Sequence, residues 1–450
     1  MAGDWLSVPT GFGGLYRILD TNWFSVLLAT TTILTTAVTV FLFFRMPFYI
    51  HKDSALFQHA GWWITEGATL YVDIWDLKPP LIYFVTTLLA LVSFGNMAVL
   101  HLLSIVVAVA TIIAGVTLLG VLTHRLTDDG FASLVGGLTM LVMTSVYAFP
   151  VAGLRPKYFA FLCGVAGLLL AVDDRPFLGG MIGAAAAGFW QLGAPIGFLV
   201  VGISLQRGGT RSAARAVGGG LTMTGITVAP FVLNGTVIPL FVETVLAPVY
   251  GVERYTLDAR LVKLLVQFGP GVAVVPLGVY GWGRGLIAEY SRYWWVAVGG
   301  VGYLFQIFVE FQGAIELVVP FVFVSLGVGL LVSVTSVPSR RSVIAGCVVF
   351  LIITSAYWKA TSSQIKTELE AEYDQRDINN YHSLPDDPKG WPSMQTIYWE
   401  KQQPEYCHYR LGVKQQYFEQ ETGGSLYKTG CGQWPYDDPP VTWLFDTLTL

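Results

Sequence analysis

Long apolar runs constrain the fold of this chain more than any other feature of its sequence. Runs of roughly 17–28 residues recur through the first 360 positions, and a helix of that length crosses a hydrocarbon layer about 30 Å thick. Only 12% of the 450 residues are charged, whereas a soluble protein of this size would carry about twice that fraction. The sequence therefore predicts an all-α polytopic membrane protein with about 10–12 transmembrane helices.

The composition changes near residue 358 and divides the chain into two predicted domains. Residues 1–358 hold the apolar runs and form the predicted membrane domain. Residues 359–450 are polar, with more acidic than basic side chains and many Trp, Tyr, Pro and Gly. So many aromatic residues favour a small folded domain over a disordered tail. The acidic balance of this tail gives no reason to expect a nucleic-acid partner.

Basic residues predict the orientation of the membrane domain, because Lys and Arg are enriched in cytoplasmic loops. The short arginine-bearing loops 207–215, 284–292 and 338–342 are therefore placed in the cytoplasm. Alternation of the spans then puts the first loop, residues 45–83, and the C-terminal domain outside. The N-terminal residues are of mixed polarity and lead directly into the first apolar run, so no cleavable signal peptide is expected.

The threading of the middle of the chain depends on one short apolar segment. Residues 124–129 and 173–176 have the composition of cytoplasmic loops, which leaves residues 153–157 outside. This arrangement requires that residues 81–94 do not cross the membrane. At about 14 residues this segment is short for a crossing, and we expect a re-entrant or surface-lying helix.

Residues 177–205 form a second irregular stretch. The sequence WQLGAP at 190–195 interrupts an otherwise apolar run. We therefore predict a broken helical hairpin that turns at this interruption.

The first external loop, residues 45–83, is dense in charged and aromatic side chains. Asp53 follows the first span closely, so its carboxylate would lie at the membrane face, beside His51. There it could take a proton from a sugar hydroxyl. The alternative is that Asp53 or Ser54 only caps an amphipathic interfacial helix over residues 54–65.

Three cations follow at predicted external positions. Lys78 precedes two prolines that fix the local backbone, and Arg155 and Lys157 flank a third proline. If these cations share one side of the membrane, they could converge on one lipid phosphate. The alternative is that they are ordinary interfacial cations whose side chains extend to the headgroups.

Five residues are weaker candidates for contacts with the acceptor or another part of the substrate: His51, Asp76, Glu243, Arg254 and Glu316. Glu243 and Arg254 lie in a predicted external stretch whose tyrosines could stack on a sugar. Glu316 lies at a short turn between two apolar runs, where a solvated carboxylate is the simpler interpretation.

The cysteines of the tail have two possible states. Cys407 and Cys431 could form a disulfide if the tail faces an oxidising exterior, or they could be free thiols. His408 is next to Cys407, but no second pair of ligands occurs at zinc spacing, so no metal site is predicted there. The sequence contains no nucleotide-binding glycine loop and no nucleic-acid-binding module.

The motifs resemble those of the GT-C superfamily of polyprenyl-phosphate-sugar glycosyltransferases. In that family an acidic residue follows the first span, and a Lys- or His-Pro-Pro-Leu motif ends the first external loop. Asp53 and KPPL at 78–81 match these elements, within YVDIWDLKPPLIY. GLRPKYFAF at 153–161 resembles the second external motif, although Lys157 stands where the family often has an acid. The tail sequences CHYRL and CGQWPYDDPP resemble those of archaeal dolichyl-phosphate-mannose mannosyltransferases.

The resemblance implies a membrane hexosyltransferase of the inverting type. It would move a sugar, mannose by this resemblance, from a dolichyl or polyprenyl phosphate to a glycan or glycoprotein acceptor outside the cell membrane, in surface-protein N-glycosylation. Asp53 would act as the base, and Lys78, Arg155 and Lys157 would bind the lipid phosphate. No cofactor is expected. A polyprenyl phosphate leaves as a stable anion, so no general acid is needed at the leaving oxygen. The need for a divalent metal is left open.

Two other classes of function compete with this one. A lipid or solute transporter would bury charges near mid-membrane within interrupted spans. A non-catalytic scaffold would anchor the tail for a partner. An outward-opening cavity between Asp53, Lys78 and Arg155 would favour the enzyme, whereas dispersal of these residues would exclude it.

Overall fold

The computed structural model describes residues 10–74, 76–246, 257–309, 314–362 and 394–402. Within these ranges the chain is helical, and its only β-type pairing is an isolated bridge between Leu70 and Ile74. The predicted all-α class is confirmed. Arg254, Cys407 and Cys431 lie outside the described residues.

The helices of the described part are numbered in chain order. They are α1 (Thr10–Thr21), α2 (Trp23–Arg45), α3 (Lys52–Thr65), α4 (Leu81–Val92), α5 (Met97–Thr127), α6 (Gly130–Thr139), α7 (Thr144–Ala148), α8 (Pro156–Val172), α9 (Pro176–Phe189), α10 (Ala194–Leu233), α11 (Val237–Phe241), α12 (Leu257–Phe268), α13 (Val274–Val309), α14 (Val318–Ser333), α15 (Pro338–Thr361) and α16 (Met394–Glu400). Short 3₁₀ turns cover Met140–Val142, Phe149–Ala152, Gln191–Gly193, Gly269–Ala273 and Ala314–Leu317, and a π turn covers Val242–Leu246.

Two of the long helices change direction within their length. Non-helical backbone at Gly208 and Gly209 breaks α10, where the φ of Gly209 is +66°. Glycine tolerates this left-handed conformation because it has no Cβ. Non-helical backbone at Glu289 breaks α13 in the same way. Each of the two helices therefore has two arms.

One end of the molecule, called here the arginine end, gathers the loops predicted to be cytoplasmic. Asp20 at the end of α1 accepts a hydrogen bond from the backbone N–H of Phe131 at 2.8 Å. Arginine–aspartate pairs then join loops that are far apart in sequence. These pairs are Arg125–Asp173, Arg207–Asp174, Arg292–Asp128 and Arg341–Asp129.

The opposite end, called here the Asp53 end, gathers the segments predicted to be external. The backbone N–H of His51 donates to the carbonyl of Ala152 at 3.2 Å. The hydroxyl of Tyr303 in the second arm of α13 donates to the carbonyl of Leu192 at 2.8 Å. Trp358 near the end of α15 donates to the carbonyl of Val266 at 2.8 Å. The predicted grouping of the loops thus agrees with the structure.

Between these ends the chain passes eleven times within the described residues. It passes once in each of α2, α5, α6 with its bent continuation, α8, α9, α14 and α15, and twice in each of the kinked helices α10 and α13. By length and composition alone, six helices of this part could cross a membrane, or seven with the bent pair that begins at Gly130. The larger number arises because the kinked helices hold two arms each and because α8 and α9 are short.

The two irregular stretches of the middle agree with their predicted geometry. Helix α4 begins at the Asp53 end and also finishes there, since Gly95 beyond it lies against Trp62 of α3. It packs along α3 and does not cross. Helices α9 and α10 form a closely packed hairpin that turns at Gln191–Gly193. The turn falls on the predicted interruption of the apolar run.

Helix α14 forms the centre of the membrane domain. The whole of its apolar stretch is buried, and it packs against α13 and α6. A helix that is apolar on all sides is expected to be surrounded by other helices.

Candidate active site

Asp53 lies in the first turn of α3, which begins at Lys52. The predicted cap at Asp53 or Ser54 is wrong, because the capping residue is His51. Its Nδ1 accepts the backbone N–H of Asp53 at 3.2 Å, so the helix is capped by His51 and not by the Asp53 carboxylate. With 38% of its side chain exposed, the carboxylate can be reached from outside the protein.

His51 is partly enclosed beside the proposed base. Burial, and secondly the positive charge of Arg155, lower the pKa of His51 to about 4, although Asp53 acts in the opposite direction. His51 is therefore neutral at physiological pH, which is the state in which Nδ1 can accept the capping hydrogen bond.

Helix α3 is more enclosed than the predicted interfacial helix. Its residues from Ser54 to Trp62 are all buried, because α4, the segment before α8 and the tail helix α16 cover it. The single hydroxyl proton of Tyr398 of α16 is shared between Gln58 Oε1, at 3.1 Å, and the carbonyl of Met97. A polar side chain of this helix, Gln58, thus has a partner inside the protein.

The GLRPK segment is held against the start of α3. Ser54 donates to the carbonyl of Leu154 at 3.1 Å. Gly153 has a φ of +98°, and a Cβ at this position would lie 2.6 Å from the Nε2 of Gln58. A larger residue would therefore both strain the backbone and separate the segment from α3. This close contact fixes the position of Arg155 relative to Asp53.

Arg155 lies beside Asp53, as the sequence motifs suggested. Its Nη1 is 3.6 Å from Asp53 Oδ2, and its guanidinium lies over the ring of Phe149 at 5.4 Å. Arg155 is only 6% exposed. A planar guanidinium buried in this way has a fixed orientation, so it can orient the neighbouring carboxylate.

Lys157 and Glu316 form a buried ion pair. Lys157 Nζ lies 2.9 Å from Glu316 Oε1, and the ammonium also lies over the ring of Trp190 at 5.4 Å. The interpretation of Glu316 as a solvated carboxylate is wrong, because Glu316 is 7% exposed. The short turn that carries it points into the protein, where the carboxylate offsets the charge of Lys157.

Lys78 completes the cluster of cations. It lies within electrostatic range of Lys157, as does Arg155. Its loop is fixed through the backbone, since Tyr71 donates to the carbonyl of Lys78 at 2.7 Å. The side-chain amide of Gln191 donates to the carbonyl of Leu77. The three predicted cations are thus brought together at the Asp53 end.

Asp76 and Glu243 lie behind this loop. Asp76 is buried and accepts hydrogen bonds from the Tyr83 hydroxyl and from the backbone N–H of Leu77. Glu243 is buried as well, and both carboxylates interact electrostatically with Tyr71. Asp76 thus stabilises the KPPL loop. The suggested contacts of Asp76 and Glu243 with the acceptor stay predictions.

Sequence reasoning missed three residues of this site. Trp190 and Gln191 were recognised only as part of an interruption in an apolar run. Gln191 also donates to the carbonyl of Thr244 at 3.2 Å and so links two segments of the site. Lys359 Nζ lies 5.2 Å from the centre of the Phe149 ring, which Arg155 also contacts. The sequence feature that could have indicated Lys359 is its position directly after the last apolar run.

Comparison with known proteins adds to this geometry. The family model described as DolP-mannose mannosyltransferase matches residues 67–229, a stretch that includes Lys78, Arg155 and Lys157. The dolichol phosphate-mannose mannosyltransferase of Haloferax volcanii is 28% identical over 416 residues, which cover 85% of this chain and 90% of that protein. The predicted resemblance to these mannosyltransferases is confirmed.

A solved structure extends the comparison to the fold. ArnT from Cupriavidus metallidurans, crystallised bound to undecaprenyl phosphate, superposes with a TM-score of 0.57 at 12% sequence identity. The match covers 88% of this chain and 76% of ArnT. At this identity the likeness concerns the fold alone, and it supports the predicted multi-pass helical architecture.

The comparisons also bear on the predicted class of function. The similarity to known mannosyltransferases supports the predicted membrane glycosyltransferase of the mannosyltransferase type. The transporter alternative required charges near mid-membrane, whereas every ion pair described above lies at one of the two ends. The roles of individual residues stay predictions.

Proposed function

We propose that this protein transfers mannose from dolichyl phosphate mannose, or a related polyprenyl phosphate sugar, to a glycan or glycoprotein acceptor on the outer face of the cell membrane. The observation that carries this proposal is the cluster at the Asp53 end. There a partly exposed carboxylate lies 3.6 Å from the Arg155 guanidinium, and Lys78 and Lys157 lie within electrostatic range of each other.

The reaction is a single displacement at the anomeric carbon of the sugar. The acceptor hydroxyl oxygen forms a bond to this carbon while the bond from the carbon to the phosphate oxygen breaks. Asp53 takes the hydroxyl proton, and the polyprenyl phosphate leaves with the bonding electron pair. Because attack comes from the face opposite the leaving phosphate, the configuration at the anomeric carbon is inverted.

The negative charge that develops on the leaving phosphate is stabilised by cations. Lys78 is the cation best placed for this role, since no carboxylate of the described residues pairs with it. Arg155 and Lys157 each have an acidic neighbour and would add positive potential around the phosphate. A phosphate monoester is a stable leaving group, so the proposed reaction needs no general acid at the leaving oxygen.

The proposal also sets where the substrates bind. The donor would reach the site from the outer leaflet, with its lipid chain between helices and its sugar next to Asp53. The acceptor would approach from the aqueous side, where the Asp53 side chain is exposed. Surface-protein N-glycosylation would use such a reaction to add a mannose.

Reconstitution tests this function directly. The purified protein in liposomes is supplied with dolichyl phosphate mannose or dolichyl phosphate glucose, together with glycans isolated from cells that lack the gene. We expect a mass increase of one hexose with the mannose donor only. Glycans from the deletion strain should in turn lack one hexose. Unchanged glycans in that strain, together with no transfer in liposomes, would exclude the proposed function.

A further inference from the structure

The arginine end contains two kinds of arginine. Arg125, Arg207, Arg292 and Arg341 each pair with an aspartate from another loop. By contrast, no carboxylate of the described residues pairs with Arg175, which precedes α9, or with Arg215, in the second arm of α10. The positive charge of these two arginines is therefore available to a ligand.

Arg175 and Arg215 line one groove. It has a volume of about 280 Å³, and its other lining residues are Pro176, Phe177 and Leu178. Phe177 and Leu178 are 42% and 44% exposed. The groove thus presents two cations together with an apolar wall.

The helices that carry the two arginines are in backbone contact. A Cβ at Gly180 would lie 1.8 Å from the carbonyl oxygen of Ala216, and a Cβ at Gly219 would lie 1.9 Å from that of Phe177. These glycines therefore let α9 and α10 pack without intervening side chains. Because Ala216 is the neighbour of Arg215, the contact fixes the distance between the backbones that carry the arginines.

We propose that this groove binds the headgroup of an anionic membrane phospholipid. Its phosphate would bridge Arg175 and Arg215, and an acyl chain would lie along Phe177 and Leu178. Guanidinium groups suit this role because they bind phosphate through two parallel hydrogen bonds. A lipid supplies both the phosphate and the apolar chain that the groove can accommodate, whereas a free phosphate supplies only the first.

Selectivity among lipids separates this proposal from ordinary interfacial arginines. A zwitterionic headgroup carries its own ammonium, which competes with the arginines for the phosphate, whereas phosphatidylglycerol has none. Two basic residues at a membrane surface favour an anionic lipid by about tenfold or more. Solvated arginines that only set the orientation of the chain would show no preference that depends on this groove.

The test compares two double variants of the full-length protein. Arg175→Gln with Arg215→Gln removes both cations of the groove. Arg211→Gln with Arg284→Gln removes the same charge from exposed positions of this end that do not line it. Binding of phosphatidylglycerol and of phosphatidylcholine is measured by native mass spectrometry in detergent, with inorganic phosphate as a competitor.

We expect the wild-type protein and the Arg211/Arg284 variant to retain phosphatidylglycerol about tenfold better than phosphatidylcholine. The Arg175/Arg215 variant should lose this preference while its melting temperature without added lipid stays unchanged. Equal loss in both variants would overturn the groove as the site, since the effect would then be general attraction. Displacement by inorganic phosphate at equal concentration would overturn the lipid as the ligand.

Discussion

The two ends of the molecule both bring opposite charges together, but they do so in different surroundings. At the arginine end the pair Arg207–Asp174 has side chains that are 43% and 66% exposed. At the Asp53 end the pair Lys157–Glu316 has side chains that are 10% and 9% exposed. Exposed pairs contribute about 0–1 kcal/mol, whereas burying an ion pair costs desolvation energy that its attraction barely offsets.

This difference in exposure indicates different roles for the charges at the two ends. An exposed pair of the arginine end such as Arg207–Asp174 joins loops and can be exchanged at little cost, although Arg341–Asp129 at the same end is only 14% and 19% exposed. The charges of the Asp53 end are held in place against a desolvation cost, which is expected where a reaction needs them in fixed positions. Substitutions matched between the two ends test this difference.

The largest expected effect is on catalysis. Asp53→Asn keeps the shape of the side chain but removes the proposed base, so transfer should fall by about 10³-fold. The matched control, Asp174→Asn, removes an exposed carboxylate of the arginine end and should leave transfer unchanged. Initial rates with dolichyl phosphate mannose provide the measurement. Full activity of Asp53→Asn would exclude this residue as the base.

A large effect on stability is expected for the buried ion pair. Glu316→Gln leaves the Lys157 ammonium buried without its counter-charge, which should cost about 3–5 kcal/mol. Asp174→Asn should cost less than about 1 kcal/mol. Combining Glu316→Gln with Lys157→Met should recover most of the loss, since no uncompensated charge then remains. Urea unfolding in mild detergent measures these differences, and similar costs for the two single variants would contradict the contrast between the ends.

A smaller effect is expected from the amide that links two segments of the site. Gln191→Leu keeps the size of the side chain but cannot donate to Leu77 and Thr244. The KPPL loop would be less well positioned, and we expect the KM for the donor to rise about tenfold with a smaller change in kcat.

Gln206 provides the matched control for this substitution. It makes a comparable bridge at the arginine end, where its amide donates to the carbonyl of Ser291 and accepts from Trp294. Gln206→Leu should leave the KM for the donor unchanged. If both variants raise KM equally, the effect of Gln191 is a general loss of packing.

The smallest expected effect is on the pH dependence of stability. The pKa of His51 is lowered to about 4 from its ordinary value of 6.5, so the unfolded chain binds a proton more readily than the folded protein. Stability is therefore full above about pH 6.5 and falls between about pH 6.5 and 4. The complete shift corresponds to about 3 kcal/mol, and partial exposure of His51 reduces the expected loss to about 1 kcal/mol.

His51→Asn separates this contribution from other titrating groups. The asparagine oxygen can accept the same capping hydrogen bond without titrating. The variant should lose stability less steeply than the wild-type protein over this pH range, as measured by melting temperature. Parallel curves for the two proteins would exclude His51 as the source of the pH dependence.

Much of the fold followed from the sequence because apolar length and arginine position are local signals. The segment at residues 81–94 that does not cross and the hairpin turn at 190–195 were both predicted. The prediction used the lengths of the apolar runs and the alternation of the loops between the two sides of the membrane. The kinks of α10 and α13 were recognised as loops because each carries arginines. What could not be predicted was burial, since α3 has the polar composition of an interfacial helix but is covered by distant segments.

The candidate site was also predicted only in part, because only some of its residues carry a local sequence signal. Asp53, Lys78 and Arg155 carry motif signals, and the structure brings them to one end of the molecule. The partnership of Lys157 with Glu316 joins residues 159 positions apart, and nothing in either local sequence indicates it. The role of Gln191 is also not visible from composition, because a single glutamine in an apolar run has no defined partner until the helices pack.

The hydrogen bond from Tyr398 to Gln58 also constrains how the protein is made. These residues are 340 positions apart, so the helix that carries Asp53 acquires this partner only after nearly all of the chain has left the ribosome. Until then, the buried amide of Gln58 lacks the hydroxyl that it meets in the finished protein. A nascent chain that ends before residue 398 would thus leave this part of α3 without the cover that α16 provides in the finished protein.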